Sequence, residues 1–412
     1  MKFHILGTGN FGNMVAHYLR KHNHKVTLFL RTPVNFAQFK KFQQKITINQ
    51  PNGDAEQTQG YDTEVLREFD IDELVERHFH YGACPPDLQI QRLIVTTKAQ
   101  DVNKSFRKIF YRLSPTSTIV LLTNGMGVYE ELMEDFFSQD EKLRPNILMG
   151  ATTHIVYRTK LVNSSFDLSH YGIGEIDLGI IPRKEVESDV TLNDNDNNEV
   201  NNEVKDNSDN LKTNSNESNS KIPKLPILDI NGNELPSIPE NSLRTTLEAL
   251  TSIPELHCRH VNVLTIQNRL LENLVINACI NPLTAIFNIR NGGLLFNRGA
   301  DRVISAICKE STQIMQKHRE FLGMKPSNRF GTERLIDAIY QICKSTVNFK
   351  STMSQDVTTR KITEIDYLNG YLVKLGKFYG IPTPVNKLIV DLIYMKHIIS
   401  SSPKNLKRSN II

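Results

Sequence analysis

The chain has 412 residues, 39% of them hydrophobic and 23% charged, with a formal net charge of +4. That length exceeds one compact domain and predicts two, each large enough to bury a core without staples. The composition excludes disordered, collagen-like and disulfide-scaffold classes. Five cysteines (Cys84, Cys258, Cys279, Cys308 and Cys343) are far apart and form no C-x-x-C pair. This argues against a zinc site or a disulfide framework and suits a reducing compartment. No apolar run approaches the roughly 18 residues of a transmembrane helix, so membrane insertion is not expected. The first strand begins at Lys2, which leaves no room for a cleavable leader. Cytoplasm is the expected location; an internal or uncleaved mitochondrial signal is the alternative.

In chain order, Phe3–Leu6, Lys25–Leu30, Leu93–Thr97, Ile119–Leu122 and Ile147–Met149 read as buried strands. Helical patterns lie between them, including Asn13–Lys21 and Val128–Phe137. The alternation predicts a parallel sheet with helices on both faces, over residues 1–190. From Asn193 to Asn219, 11 of 27 residues are Asn and the only aliphatic ones are Val200, Val204 and Leu211. Such a segment buries too little apolar surface to offset its ordering entropy, so 191–222 reads as a disordered insertion. Residues 223–241 read as a linker or a return to the first domain. From Ser242 to 402 the pattern turns helical. Candidate helices are Val261–Ile280, Asp301–Phe321, Thr332–Ser345, Ile362–Tyr379 and Pro384–Ile399. The last residues, 403–412, carry a basic run, Lys404–Arg408, that reads as a solvated end; nucleic acid is not an expected partner.

Gly7-Thr8-Gly9-Asn10-Phe11-Gly12 is a G-x-G-x-x-G motif. The spacing alone is weak, but here it follows the first strand and opens a helix, the arrangement of a Rossmann dinucleotide site. The glycines make the tight turn and let amides approach a pyrophosphate at the helix N-terminus. The second strand ends at Arg31, where an NAD enzyme usually carries Asp or Glu for the ribose 2′-hydroxyl. A guanidinium fork suits a 2′-phosphate, so NADP(H) is the expected cofactor. A solvated strand-end charge is the other reading of Arg31.

Four further stretches carry a family signal: Val95-Thr-Thr-Lys98-Ala99, Leu121-Leu-Thr-Asn124-Gly-Met-Gly127, Asn277-Ala-Cys-Ile-Asn281-Pro-Leu-Thr-Ala285, and Thr363-Glu364-Ile-Asp-Tyr-Leu-Asn-Gly370. In order and context they resemble the ketopantoate reductase (2-dehydropantoate 2-reductase) family, as a diverged, fungal-type member, over nearly the whole chain outside the Asn-rich stretch. The resemblance implies an α/β fold: a Rossmann-type parallel-sheet domain, then an all-helical C-terminal domain similar to that of 6-phosphogluconate dehydrogenase. It also implies NADPH-dependent reduction of ketopantoate to pantoate, on the route to pantothenate and coenzyme A. By motif, Lys98 and Asn124 would lie near the nicotinamide ribose and the substrate, and Asn277 and Asn281 would hydrogen-bond the substrate. Glu364 would complete the catalytic polar cluster, and Thr352 falls where relatives carry a serine for the substrate carboxylate. The residues support this independently. Asn277 and Asn281 are four apart, hence on one helix face. Two amides in an otherwise apolar stretch need partners if buried, which a helix–helix hydrogen bond would also satisfy. Glu364 reads otherwise as a helix-start charge.

The pattern breaks at Asn273. The family's general-acid lysine lies four residues before the first helix asparagine, and here that position is an amide with no proton to transfer. An Asn still hydrogen-bonds a developing oxyanion. Between Lys224 and Lys309 there is no lysine. Arg269, one turn earlier, stays protonated and is a poor acid. Lys98 is the candidate substitute. Three readings stay open: an active 2-keto acid reductase with an altered acid, an NADP(H)-binding regulatory protein that has lost catalysis, or a factor in mitochondrial gene expression. A homodimer through the helical domain is compatible with the pattern, though no motif demands it.

Overall fold

The computed structural model describes residues 1–66, 87–138, 144–159, 166–183 and 242–401. The Asn-rich insertion, the 223–241 linker, Cys84 and the basic tail lie outside these residues. Twelve strands are described: β1 (Lys2–Leu6), β2 (Lys25–Leu30), β3 (Ile46–Asn49), β4 (Ala55–Thr58), β5 (Asp62–Val65), β6 (Arg92–Val95), β7 (Thr118–Leu121), β8 (Asn146–Thr152), β9 (Ile155–Arg158), β10 (Asp167–Gly172), β11 (Ile176–Ile181) and β12 (Cys258–Val261). The helices are α1 (Asn10–Lys21), α2 (Pro33–Lys41), α3 (Ala99–Phe106), α4 (Val128–Phe136), α5 (Ser242–Thr251), α6 (Val263–Phe287), α7 (Arg298–Phe321), α8 (Thr332–Ser345), α9 (Thr352–Thr358), α10 (Asn369–Tyr379) and α11 (Pro384–Ser401).

The main sheet has the order β12-β11-β8-β7-β6-β1-β2-β5. All its pairs are parallel except β11 with β8. Its central strands read as continuous apolar runs because both faces are covered: Phe3, Ile5, Leu28, Leu93, Ile94 and Val120 are all fully buried. The chain leaves β1 towards β2 on one side and reaches β6 on the other, so the sheet's switch point lies between β1 and β6. Ligands of such sheets sit there, beyond the strands' C-terminal ends.

A second sheet, β4-β3-β10-β9, was not expected. Its strands are four to six residues long and half exposed, and only Ile46-Thr-Ile-Asn49 alternates apolar with polar. It packs on α1, where the Tyr18 hydroxyl meets His170 Nδ1 at 2.9 Å and His170 Nε2 meets His154 Nδ1 at 3.0 Å.

The boundary expected at Ser242 needs correction. β12 pairs with β11, and Leu243, Leu247 and Leu250 of α5 fill the same core as Phe3 and Leu28. Residues 242–261 thus complete the Rossmann half, and the helical domain starts with α6. Asn262 caps that helix, its Oδ1 accepting from Thr265 N at 2.7 Å. By length and composition α6 would cross a membrane, the one such helix among the described residues, but 67% of its most apolar window is buried inside the fold. The expected helix ended at Ile280; α6 instead runs on through Pro282 to Phe287. Proline in a helix leaves the carbonyl four residues back without its donor. That carbonyl, Ala278 O, accepts instead from Asn369 Nδ2 at 3.0 Å. Residues 362–379 form a 3₁₀ turn at Ile365–Tyr367 and then α10, not one helix, which leaves Glu364 in the preceding loop.

Candidate functional site

The Gly7–Gly12 turn is built as a cradle. Gly7 has φ of +115°, and a Cβ there would meet Thr97 N at 2.5 Å; one on Gly12 would meet Gly7 O at 2.0 Å. Thr96 Oγ1 closes the turn from β6, donating to Gly7 O at 2.6 Å. Around Gly9, by contrast, nothing lies within 4 Å of a Cβ. Gly9 is the N-cap of α1, with no side-chain cap and no acidic residue in the first turn. Open space above bare amides at the positive end of a helix fits a pyrophosphate, so these residues suit a dinucleotide. Asn10 is tied by Nδ2 to Val156 O at 3.3 Å and Asn13 to Thr8 O at 3.2 Å, which fixes the turn from both sides. Arg31, at the end of β2, is 74% exposed and 3.5 Å from Asp101.

Two strands along the sheet from this turn, a cleft opens between the C-terminal ends of β7 and β8 and the flank of α6. Asn124, Thr152, Asn273 and Asn277 contribute its polar groups, and Leu122, Leu270 and Leu274 its apolar ones. The spacing of four places Asn273 and Asn277 on one face of α6, as their positions predict. The loop carrying Asn124 is held by the helical domain: Met126 N donates to Tyr367 O at 2.9 Å, and a Cβ on Gly125 (φ +83°) would strike Tyr367.

Lys98 N-caps α3 and reaches across the domain boundary to an ion pair with Asp356 of α9. Asp356 is 4% exposed, and burial pushes its carboxyl above the usual range against the pull of Lys98. Sequence reading missed it. The available signal was an acid at helical spacing from Met353, sharing its face of a short helix with Val357. Glu364 is buried on the next amide, its Oε1 accepting from Ala99 N at 3.1 Å. Burial raises its pKa to about 7, outweighing that hydrogen bond and the charge of Lys98. Three ionisable groups from three segments therefore share one small, partly dry region.

Other expected residues fall elsewhere. Asn281 is 7% exposed, and its carbonyl accepts from Ser351 Oγ at 3.4 Å. It lies one turn beyond the cleft's lining residues. Thr352 is exposed and does not line the cleft. The buried hydroxyls of this segment are its neighbours: Ser351, engaged with Thr284 Oγ1 at 2.7 Å, and Ser354, whose Oγ has no hydrogen-bond partner among the described residues. The helix phase turns 351 and 354 inward and 352 outward. Arg269 is paired at 2.5 Å to the buried Asp177 and is not a free cation in the cleft.

A Rossmann-type sheet joined to a helical domain over such a polar cleft defines a two-domain oxidoreductase fold. Family models described as "Ketopantoate reductase PanE/ApbA" and "Ketopantoate reductase PanE/ApbA C terminal" match residues 3–183 and 265–397. The chain belongs to the ketopantoate reductase family. It is 26% identical over 407 residues to the "Probable 2-dehydropantoate 2-reductase" of Schizosaccharomyces pombe, covering 94% of each chain. Among solved structures, D-mandelate dehydrogenase with NADH and anilino(oxo)acetate superposes with a TM-score of 0.67 at 16% identity, over 98% of this chain and 100% of that one. The probable 2-dehydropantoate 2-reductase of Bacillus subtilis gives 0.56 at 19%, over 96% and 100%.

Proposed function

We propose that the protein reduces a 2-keto acid, 2-dehydropantoate in the first instance, to the 2-hydroxy acid with NADPH, and that Lys98 provides the proton. The observation that carries this reading is the convergence of Asn124, Asn273 and Asn277 on one cleft two strands along the sheet from the open Gly9 cradle, with the Lys98–Asp356 pair at the domain boundary. The naming of relatives as 2-dehydropantoate 2-reductases supports the substrate, and the NADH bound to D-mandelate dehydrogenase supports a nicotinamide dinucleotide. Arg31 supports its phosphorylated form.

When bound, the cofactor supplies a hydride to the carbonyl carbon. The residues of this chain handle the charge that then appears on oxygen. The amides of Asn273 and Asn277 donate hydrogen bonds to it, which stabilises the charge without moving a proton. Lys98 carries a transferable proton, and its ion pair with Asp356 holds the side chain across the domain boundary. Glu364, neutral below about pH 7, adds a second proton store on the adjoining amide.

Asn273 itself favours a second reading, a dinucleotide-binding protein that has lost turnover. NADPH oxidation with 2-dehydropantoate, measured on the natural protein, Asn273→Lys and Lys98→Ala, separates the two. Under the proposal the natural protein turns over, and Lys98→Ala loses about 10²–10⁴-fold in rate while still binding NADPH. Turnover in Asn273→Lys alone selects the second reading, and full activity in Lys98→Ala removes Lys98 from the mechanism.

A further inference from the structure

We propose that Asp101 is a specificity-determining residue for the dinucleotide: it opposes Arg31 and so narrows the preference for NADPH over NADH. This rests on the reading that the cradle takes a nicotinamide dinucleotide. β2 and β6 flank β1 on its two sides, so Arg31 at the end of β2 and Asp101 in the first turn of α3 converge beside the Gly7–Gly12 turn. Arg31 Nη1 lies 3.5 Å from Asp101 Oδ2. Their side chains are 74% and 33% exposed, so neither is committed to the core.

Rossmann domains tell the two cofactors apart at the adenosine ribose, by a carboxylate that accepts from the 2′-hydroxyl or a cation that pairs with the 2′-phosphate. The usual place for that choice is the end of the second strand. Here the cation stands at that place and a carboxylate reaches the same point from the strand on the other side of β1. A 2′-phosphate gains Arg31 but is repelled by Asp101. A 2′-hydroxyl has Asp101 as an acceptor and loses nothing to Arg31. An exposed ion pair of this kind is weak and screened by salt, so a ligand opens it easily and either side chain is available. The two charges therefore read the two cofactors in opposition, and the net preference is their difference.

The test is a pair of binding titrations on the full chain, following the fluorescence of NADPH and of NADH without substrate, so that turnover plays no part. Asp101→Asn keeps the shape and the hydrogen-bonding reach of the side chain and removes its charge. Removing a screened surface charge is expected to tighten NADPH by about fivefold and to leave NADH equal or weaker. Arg31→Ala is expected to move the ratio the other way by about tenfold. An unchanged NADPH-to-NADH ratio in Asp101→Asn overturns the assignment of Asp101 alone. If the natural protein binds neither cofactor, the dinucleotide reading itself fails and the proposal falls with it. Matched thermal midpoints for the three proteins confirm that the ratios report the site.

Discussion

The two ends of the cleft have been treated differently by substitution. The cofactor end keeps every part that backbone geometry requires: two glycines whose Cβ positions are occupied by other atoms, and a third that faces open space. The end proposed for the substrate keeps Asn124 and Asn277 in the cleft, with Asn273 at the position where the resemblance implies a lysine. The first end works through backbone amides and space, which tolerate no replacement. The second works through side-chain chemistry, and a changed side chain there leaves the fold intact. A cleft can thus lose or relocate its acid without any change in architecture, and the fold by itself does not report which.

The sharpest way to break this contrast is pH. Glu364 has its folded pKa raised to about 7 from 4.5, mainly by burial. Its contribution to stability is complete below the unfolded value and is lost as pH rises through the folded one. Glu364→Gln cannot ionise. The stability difference between natural protein and variant, from urea melts at several pH values, should therefore change by about 3 kcal/mol between pH ~4.5 and ~7, the natural protein weakening as pH rises. A flat difference would mean that the carboxyl is not buried as described.

The glycine turn at the cofactor end should respond to bulk. Gly9→Val is expected to weaken NADPH binding by about thirtyfold or more while stability moves by less than ~0.5 kcal/mol. Gly12→Ala, whose new methyl would lie 2.0 Å from a carbonyl oxygen, is expected to cost about 2 kcal/mol of stability outright. Equal stability losses in the two would show that Gly9 is a fold residue like its neighbour. The smallest effect belongs to a contact between the four-stranded sheet and the helical domain. There Tyr157 of β9 stacks on Phe349, which precedes α9, with ring centroids 4.3 Å apart and planes within 9°. Phe349→Ala should lower stability by about 1 kcal/mol and loosen closure between the two domains, read as faster NADPH release in stopped flow. Unchanged release would leave the stack as packing only.

The strands that form the centre of the large sheet were legible because burial on both faces makes them continuous apolar runs. The four-stranded sheet was not: Ala55-Glu-Gln-Thr58 carries no periodic signal, and the sheet is completed only when β10, far along the chain, pairs with β3. Asn273 and Asn277 could be placed on one face because helix phase fixes them, whereas Asn124 was brought to them only by the family resemblance. Asp356 and Asp101 could not be placed, since their partners Lys98 and Arg31 lie 258 and 70 positions away, 356 − 98 and 101 − 31. Pro282 shows the same limit in miniature. Alone it argues for ending α6, and only Asn369, met much later in the chain, supplies the donor that lets the helix continue.

β12 joins the sheet beside β11, yet the two strands lie at residues 258–261 and 176–181. A ribosome therefore makes nearly all of the first domain and then a long further stretch before the strand that finishes its edge and the α5 leucines that seal its core. Until residue 261 has cleared the exit tunnel, β11 exposes a free hydrogen-bonding edge and the face shared by α1 and α5 lacks part of its cover. The nascent chain consequently spends an extended interval as an open sheet, when chaperone protection matters most.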